Sequence, residues 1–79
     1  MNEHGYDKEL IKFRGNVGEV IQEARKSRFM SQEKLSQLSG LTQSQISRIE
    51  AGERSVSLYV IAKIAKVLEI RPEEILKIN

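Results

Sequence analysis

The sequence has no cysteine, no tryptophan, a single proline and a single histidine, at position 4. Without thiols it has neither a disulfide framework nor a thiolate metal site. One histidine near the start cannot make a histidine cluster, so no metal site and no cofactor are expected. Aromatics are scarce as well: Tyr6, Phe13, Phe29 and Tyr59 are all there are. Any core must therefore be aliphatic. No apolar run approaches the roughly 20 residues that a membrane span needs, and no charged-then-apolar secretory leader opens the chain. A cytoplasmic location with no membrane partner is the expectation.

Size narrows the functional classes further. Seventy-nine residues make one small domain, with little room for an enclosed substrate pocket of several hundred Å³. No nucleophile–base pair, phosphate-cradling glycine loop or metal cluster can be assembled, so neither catalysis nor a small-molecule effector is expected. A domain of this length buries only about 60% of its unfolded surface, which makes oligomerisation a reasonable expectation. Function then belongs on a surface.

Charge is present in modest excess, at +2 overall, and unevenly. Arg25, Lys26, Arg28, Lys34, Arg48 and Arg54 face only Glu33, Glu50 and Glu53 in the middle of the chain. That gives a +3 central segment flanked by ends that together carry −1. Such a patch suits a polyanion, and equally suits an ordinary solvated surface.

Helix periodicity dominates, and strand signals are absent. Residues 1–10 are polar, contain Gly5 and read as a flexible tail ahead of a domain over 11–79. Leu10, Phe13, Val17, Val20, Ile21 and Ala24 recur at the spacing of one helix face. Gly15 and Gly18 weaken that stretch, so the first helix is expected to start within 11–16 and end near Ser27. Ser31 is an N-cap for a helix over 32–39 that buries Leu35 with Leu38 or Ser39, and Gly40 ends it. Thr42 caps a third helix, Gln43 to Ala51, which buries Ile46 and Ile49 and is closed by Gly52. Ser57 caps a fourth, whose stripe is Leu58, Ile61, Ile64, Ala65 and Leu68. Pro72 followed by Glu73 and Glu74 starts a short fifth helix. The expected fold is an all-α, compact five-helix bundle.

Two short helices joined by a glycine-containing turn describe a helix-turn-helix. Any tight helical hairpin needs those features, so the outer face of the third helix has to decide the matter. Gln43, Ser44, Gln45, Ser47 and Arg48 supply amides, hydroxyls and a guanidinium, with no acid before Glu50. Gln can bond the N6 and N7 edge of adenine, and Arg the O6 and N7 edge of guanine. Gln43, Ser44 and Arg48 fall near one helical face.

Residues 17–76 resemble the helix-turn-helix domain of the phage repressor and Cro family, the xenobiotic-response-element-like regulators. The residues that carry the resemblance are Ser31, Gln32 and Glu33, then Gly40, Leu41 and Thr42, and then the run from Ile46 to Gly52. It continues through Ser57 and Leu58 and the run from Ile64 to Leu68. The resemblance implies a lambda-repressor-like fold that binds double-stranded DNA, usually as a homodimer on a two-fold symmetric operator. It implies base contacts from Gln43, Ser44, Gln45 and Arg48, and phosphate contacts from Ser31, Gln32, Arg54 and Ser55. It also implies a structural ion pair of Arg25 with Glu50.

The sequence departs from the family pattern at Ser36 and Ser39, where alanine is usual, with slightly lower stability expected. Glu53 stands where a basic residue is common, and Arg71 where the fifth helix usually has a hydroxyl N-cap. The candidates for a dimer surface are Tyr59, Val60, Val67, Ile75 and Ile78, with the fifth helix and the end of the fourth expected to supply it, although most of these residues also suit the core of a small domain. Controller proteins of restriction-modification systems, prophage repressors and antitoxins all fit this profile. The rival reading is an antitoxin-like or bridging protein-interaction module on the same fold, for which the polar face of the third helix would have no purpose.

Overall fold

The computed structural model describes residues 3–76, with side chains from Lys8 onward. Five helices follow in order: α1 (Glu3–Ser27), α2 (Gln32–Ser39), α3 (Gln43–Glu50), α4 (Leu58–Leu68) and α5 (Pro72–Ile75). No strand occurs among the described residues. α1 packs along α3, α4 and α5, while α2 lies against α3 and α4.

The core is aliphatic throughout. Val17 and Ile21 of α1, Leu35 of α2, Ile46 and Ile49 of α3, and Ile75 of α5 close around Ile61, Ile64, Ala65 and Leu68 of α4. Each fully buried isoleucine or leucine contributes roughly 1.5–3 kcal/mol relative to exposure. Phe13 packs at the edge of this cluster. α4 provides four of these buried residues because its stripe faces α1, α2 and α5.

α1 is longer than the spacing suggests: it begins at Glu3, not within 11–16. The two glycines that look like helix breakers sit inside it at a tertiary contact. A Cβ on Gly18 would stand 2.7 Å from the Glu50 carbonyl oxygen, so glycine is what lets the end of α3 approach α1. Lys8 to Lys12 are exposed, with Leu10 alone of these bordering a groove shared with Val17 and Ile61, so these turns rest largely on helix propensity.

Two leucines on apolar stripes are not core residues. Leu38 is exposed and Ser39 is buried in its place, while Leu58, at the first position of α4, is 74% exposed. Each lies near a helix end, on a side left open to solvent. Ile75 departs in the other direction: it is fully buried within one chain. It therefore cannot supply dimer surface, and that assignment is corrected to core. α4 ends with Glu69 in the left-handed region at φ 58°, its N–H bonded back to the carbonyls of Ala65 and Lys66. α5 begins without a hydroxyl cap. Instead, the Glu74 carboxylate accepts from the Arg71 N–H at 2.8 Å.

Candidate nucleic-acid interface

The helix-turn-helix is built by local chemistry at each of its corners. Ser31 is extended, and its Oγ accepts from the Lys34 N–H at 3.0 Å. That leaves its hydroxyl proton to offer outward. Gly40 ends α2 at φ 79°, a conformation that costs other residues about 1–2 kcal/mol. Thr42 then opens α3 with a reciprocal cap: Thr42 Oγ1 accepts from the Gln45 N–H at 3.0 Å, and Gln45 Oε1 accepts from the Thr42 N–H at 2.8 Å.

The turn is also stitched by the two serines that replace alanine. Ser36 Oγ donates to the Leu41 carbonyl at 2.5 Å, and Ser39 Oγ accepts from the Leu41 N–H at 3.2 Å. Their hydroxyls are satisfied, and no buried side-chain polar atom lacks a partner among the described residues. The lower stability expected for these serines has no basis in unpaired groups.

Ile46 and Ile49 hold the inner side of α3, and Gln43, Ser44, Ser47 and Arg48 stand exposed on the outer side. Gln45 is different. It is half-buried, and its carbonyl oxygen is committed to the cap, so only its amide N–H groups remain for a ligand. It lines an open groove together with Arg54 and Ser55, which brings the loop after α3 alongside the start of α3. Arg54 and Ser55 are exposed.

A buried network fixes α3 relative to the first two helices. Arg25 Nε donates to Glu50 Oε2 at 2.7 Å, and Arg25 Nη2 donates to Glu50 Oε1 at 2.9 Å. Arg25 Nη1 donates to the Met30 carbonyl at 2.7 Å. The hydrogen bonds to Glu50 raise the pKa of Arg25 above its ordinary guanidinium value, burial opposes them, and the attraction of opposite charges adds to them. Gln32 joins from the start of α2, its Nε2 donating to Glu50 Oε1 at 3.1 Å, and its second N–H remains to be offered. Gln32 thus links the start of α2 to the end of α3.

One residue of this region has no signal in the sequence. Arg14 Nε of α1 donates to the Gly52 carbonyl at 2.9 Å, at the start of the loop that carries Arg54 and Ser55. Nothing about an arginine between Phe13 and Gly15 announces a partner in that loop.

Of the apolar candidates for a partner surface, Tyr59 is 73% exposed beside Leu58, with Lys63 Nζ 5.4 Å from its ring centre. Val60 and Val67 are half-buried against the core. Ile78 lies outside the described residues. Among those residues, no group of three potential ligands could hold a metal ion, and no helix is long and apolar enough to cross a membrane.

Comparison with known proteins adds the family context. Residues 21–75 match the model of a helix-turn-helix family. The control protein C.BamHI of Bacillus amyloliquefaciens is 43% identical over 60 residues, spanning 75% of this chain and 74% of that protein. The crystal structure of the restriction-modification controller protein C.AhdI from Aeromonas hydrophila superposes with a TM-score of 0.75 at 41% identity. That match covers 77% of this chain and 92% of the controller. A helix-turn-helix transcriptional regulator from Vibrio cholerae superposes with a TM-score of 0.79 at 29% identity, covering 84% of this chain and 37% of the larger protein.

Proposed function

The chain belongs to the helix-turn-helix family and is a DNA-binding transcriptional regulator, and from that premise we propose that it reads a two-fold symmetric operator as a homodimer through α3. The outer face of α3 carries this reading: Gln43, Ser44 and Arg48 stand exposed on a helix held rigidly from behind by Ile46, Ile49 and the Arg25–Glu50 pair. Gln43 and Arg48 donate to purine edges in the major groove, and Ser44 adds a hydroxyl. Gln45 reaches the DNA with its amide N–H groups. Phosphates are held on one side by the Ser31 hydroxyl and the second N–H of Gln32, and on the other by Arg54 and Ser55.

One α3 helix reads too few base pairs to single out an operator, so two copies act together on half-sites about 34–36 Å apart. The exposed pair Leu58 and Tyr59 at the start of α4 supplies apolar surface for that pairing. Similarity to two control proteins favours a restriction-modification controller, acting in the cytoplasm on a promoter by repression or by activation according to operator position.

The test is selection from a random double-stranded DNA library at about 150 mM salt, where phosphate contacts alone give weak binding. The Gln43→Ala, Arg48→Ala double variant is run in parallel. A palindromic motif enriched by the natural protein and lost by the variant is expected. Folded protein that enriches nothing would overturn the reading in favour of a protein-interaction module.

A further inference from the structure

We propose that Arg14 is a positioning residue for DNA binding: from α1 it holds the loop at 52–55 in the shape that presents Arg54 and Ser55 to phosphates. This rests on the assignment of that loop to the DNA backbone made above.

The loop needs holding. Arg54 and Ser55 are exposed, and a long exposed arginine loses rotamer and backbone freedom when it meets a phosphate. Two contacts at the loop's start limit that freedom, and both come from consecutive residues of α1. Arg14 Nε donates to the Gly52 carbonyl at 2.9 Å, with Arg14 half-buried. Beside it, Gly52 lies at φ 74° so close to Gly15 that a Cβ added to Gly52 would stand 2.8 Å from the Gly15 Cα. The side of α1 and the loop meet at a groove lined by Arg14, Ser55 and Val56. Further support comes from the Glu53 N–H, which donates to the Arg48 carbonyl at 3.0 Å and so fixes the next residue to the end of α3. The loop's first two residues are therefore tied to α1 and α3, and the two that follow project from that base. A hydrogen bond from a guanidinium Nε keeps a defined direction, which a lysine ammonium on a flexible stem does not reproduce.

The experiment measures binding of the full chain to a random-sequence DNA duplex over a salt series, with Arg14→Ala, Arg14→Lys, Arg54→Ala and the Arg14→Ala, Arg54→Ala pair. Nonspecific binding isolates phosphate contacts from base reading. Arg54→Ala is expected to weaken binding and to flatten the log–log salt slope by about 0.9, the value of one phosphate contact. Arg14→Ala is expected to do the same, and the double variant to bind no worse than about twofold below either single one, because both remove the same contact. Arg14→Lys, which keeps the charge and loses the directed bond, is expected to behave as Arg14→Ala. Circular dichroism at the binding temperature confirms the folded state of each variant, and Arg14→Lys carries the test where Arg14→Ala fails to fold.

Full binding by Arg14→Lys would assign Arg14 to charge alone and overturn the proposal. Losses that multiply in the double variant would overturn it as well, since Arg14 would then act independently of Arg54. Loss in Arg54→Ala with none in either Arg14 variant would defeat the positioning role and leave the loop assignment standing. No effect of Arg54→Ala, in a chain whose Gln43→Ala, Arg48→Ala variant is defective, would remove the loop assignment and the proposal with it.

Discussion

Gly18 of α1 lies directly against the main chain of Glu50, the last residue of α3, at a distance that leaves no space for a methyl group. Gly15, one turn earlier on the same helix, has nothing within 4 Å of where its Cβ would stand. Two glycines in one helix thus have opposite value. Gly18→Ala is expected to lower stability by about 1–3 kcal/mol, since main-chain atoms cannot step aside as a side chain would. Gly15→Ala is expected to raise it by about 0.5–1 kcal/mol through helix propensity. Urea midpoints that move in the same direction for both would contradict this account.

Arg25 is joined to Glu50 by two hydrogen bonds and to Met30 by a third, in a site closed to water. Removing one partner leaves a buried charge uncompensated, so Arg25→Ala is expected to cost roughly 3–5 kcal/mol. Adding Glu50→Ala to that variant is expected to cost much less than Glu50→Ala does alone. Denaturant unfolding of the four proteins gives the comparison, and strict additivity would count against a coupled pair.

Phe29, in the turn between α1 and α2, holds a left-handed backbone at φ 53° with its side chain 98% exposed. It therefore carries the steric cost of that conformation with no packing in return. Phe29→Gly is expected to stabilise the fold by up to about 1 kcal/mol, the left-handed penalty less the added freedom of the unfolded glycine. A lower melting temperature for the variant would show that the ring contributes contacts in solution.

Ile75 and Tyr59 separate core from partner surface. Ile75→Asp places a charge at a fully buried position and is expected to unfold the domain, visible as lost helical ellipticity. Tyr59→Asp alters an exposed position and is expected to leave a folded chain that elutes as a monomer. A folded Tyr59→Asp protein that is still dimeric would move the interface away from the start of α4.

The features legible in the sequence were those decided by neighbours a few residues away. Ser31, Thr42 and Ser57 as caps, and Gly40 as the end of α2, follow from chemistry within a single turn. What escaped depends on residues far along the chain. Gly18 reads as a weak helix position until α3 is seen against it. Periodicity places Leu58 on the stripe of α4 without revealing that this first position, unlike Ile61 one turn on, is left uncovered. Gln45 shows the same limit within the candidate site: its type and position suit DNA, while its half-buried, cap-bonded carboxamide emerges only from the folded turn. The Arg14–Gly52 bond, between two unremarkable positions, had no local trace at all.

The serine-stitched turn also bears on temperature. Apolar contact weakens on cooling, because hydration of hydrocarbon becomes less unfavourable in the cold. Hydrogen bonds such as those from Ser36 and Ser39 to the backbone of Leu41 do not share that dependence. On cooling, the apolar contacts of Leu35, Ile46 and Ile49 between α2 and α3 are therefore expected to weaken before the bonds at the vertex of the turn do.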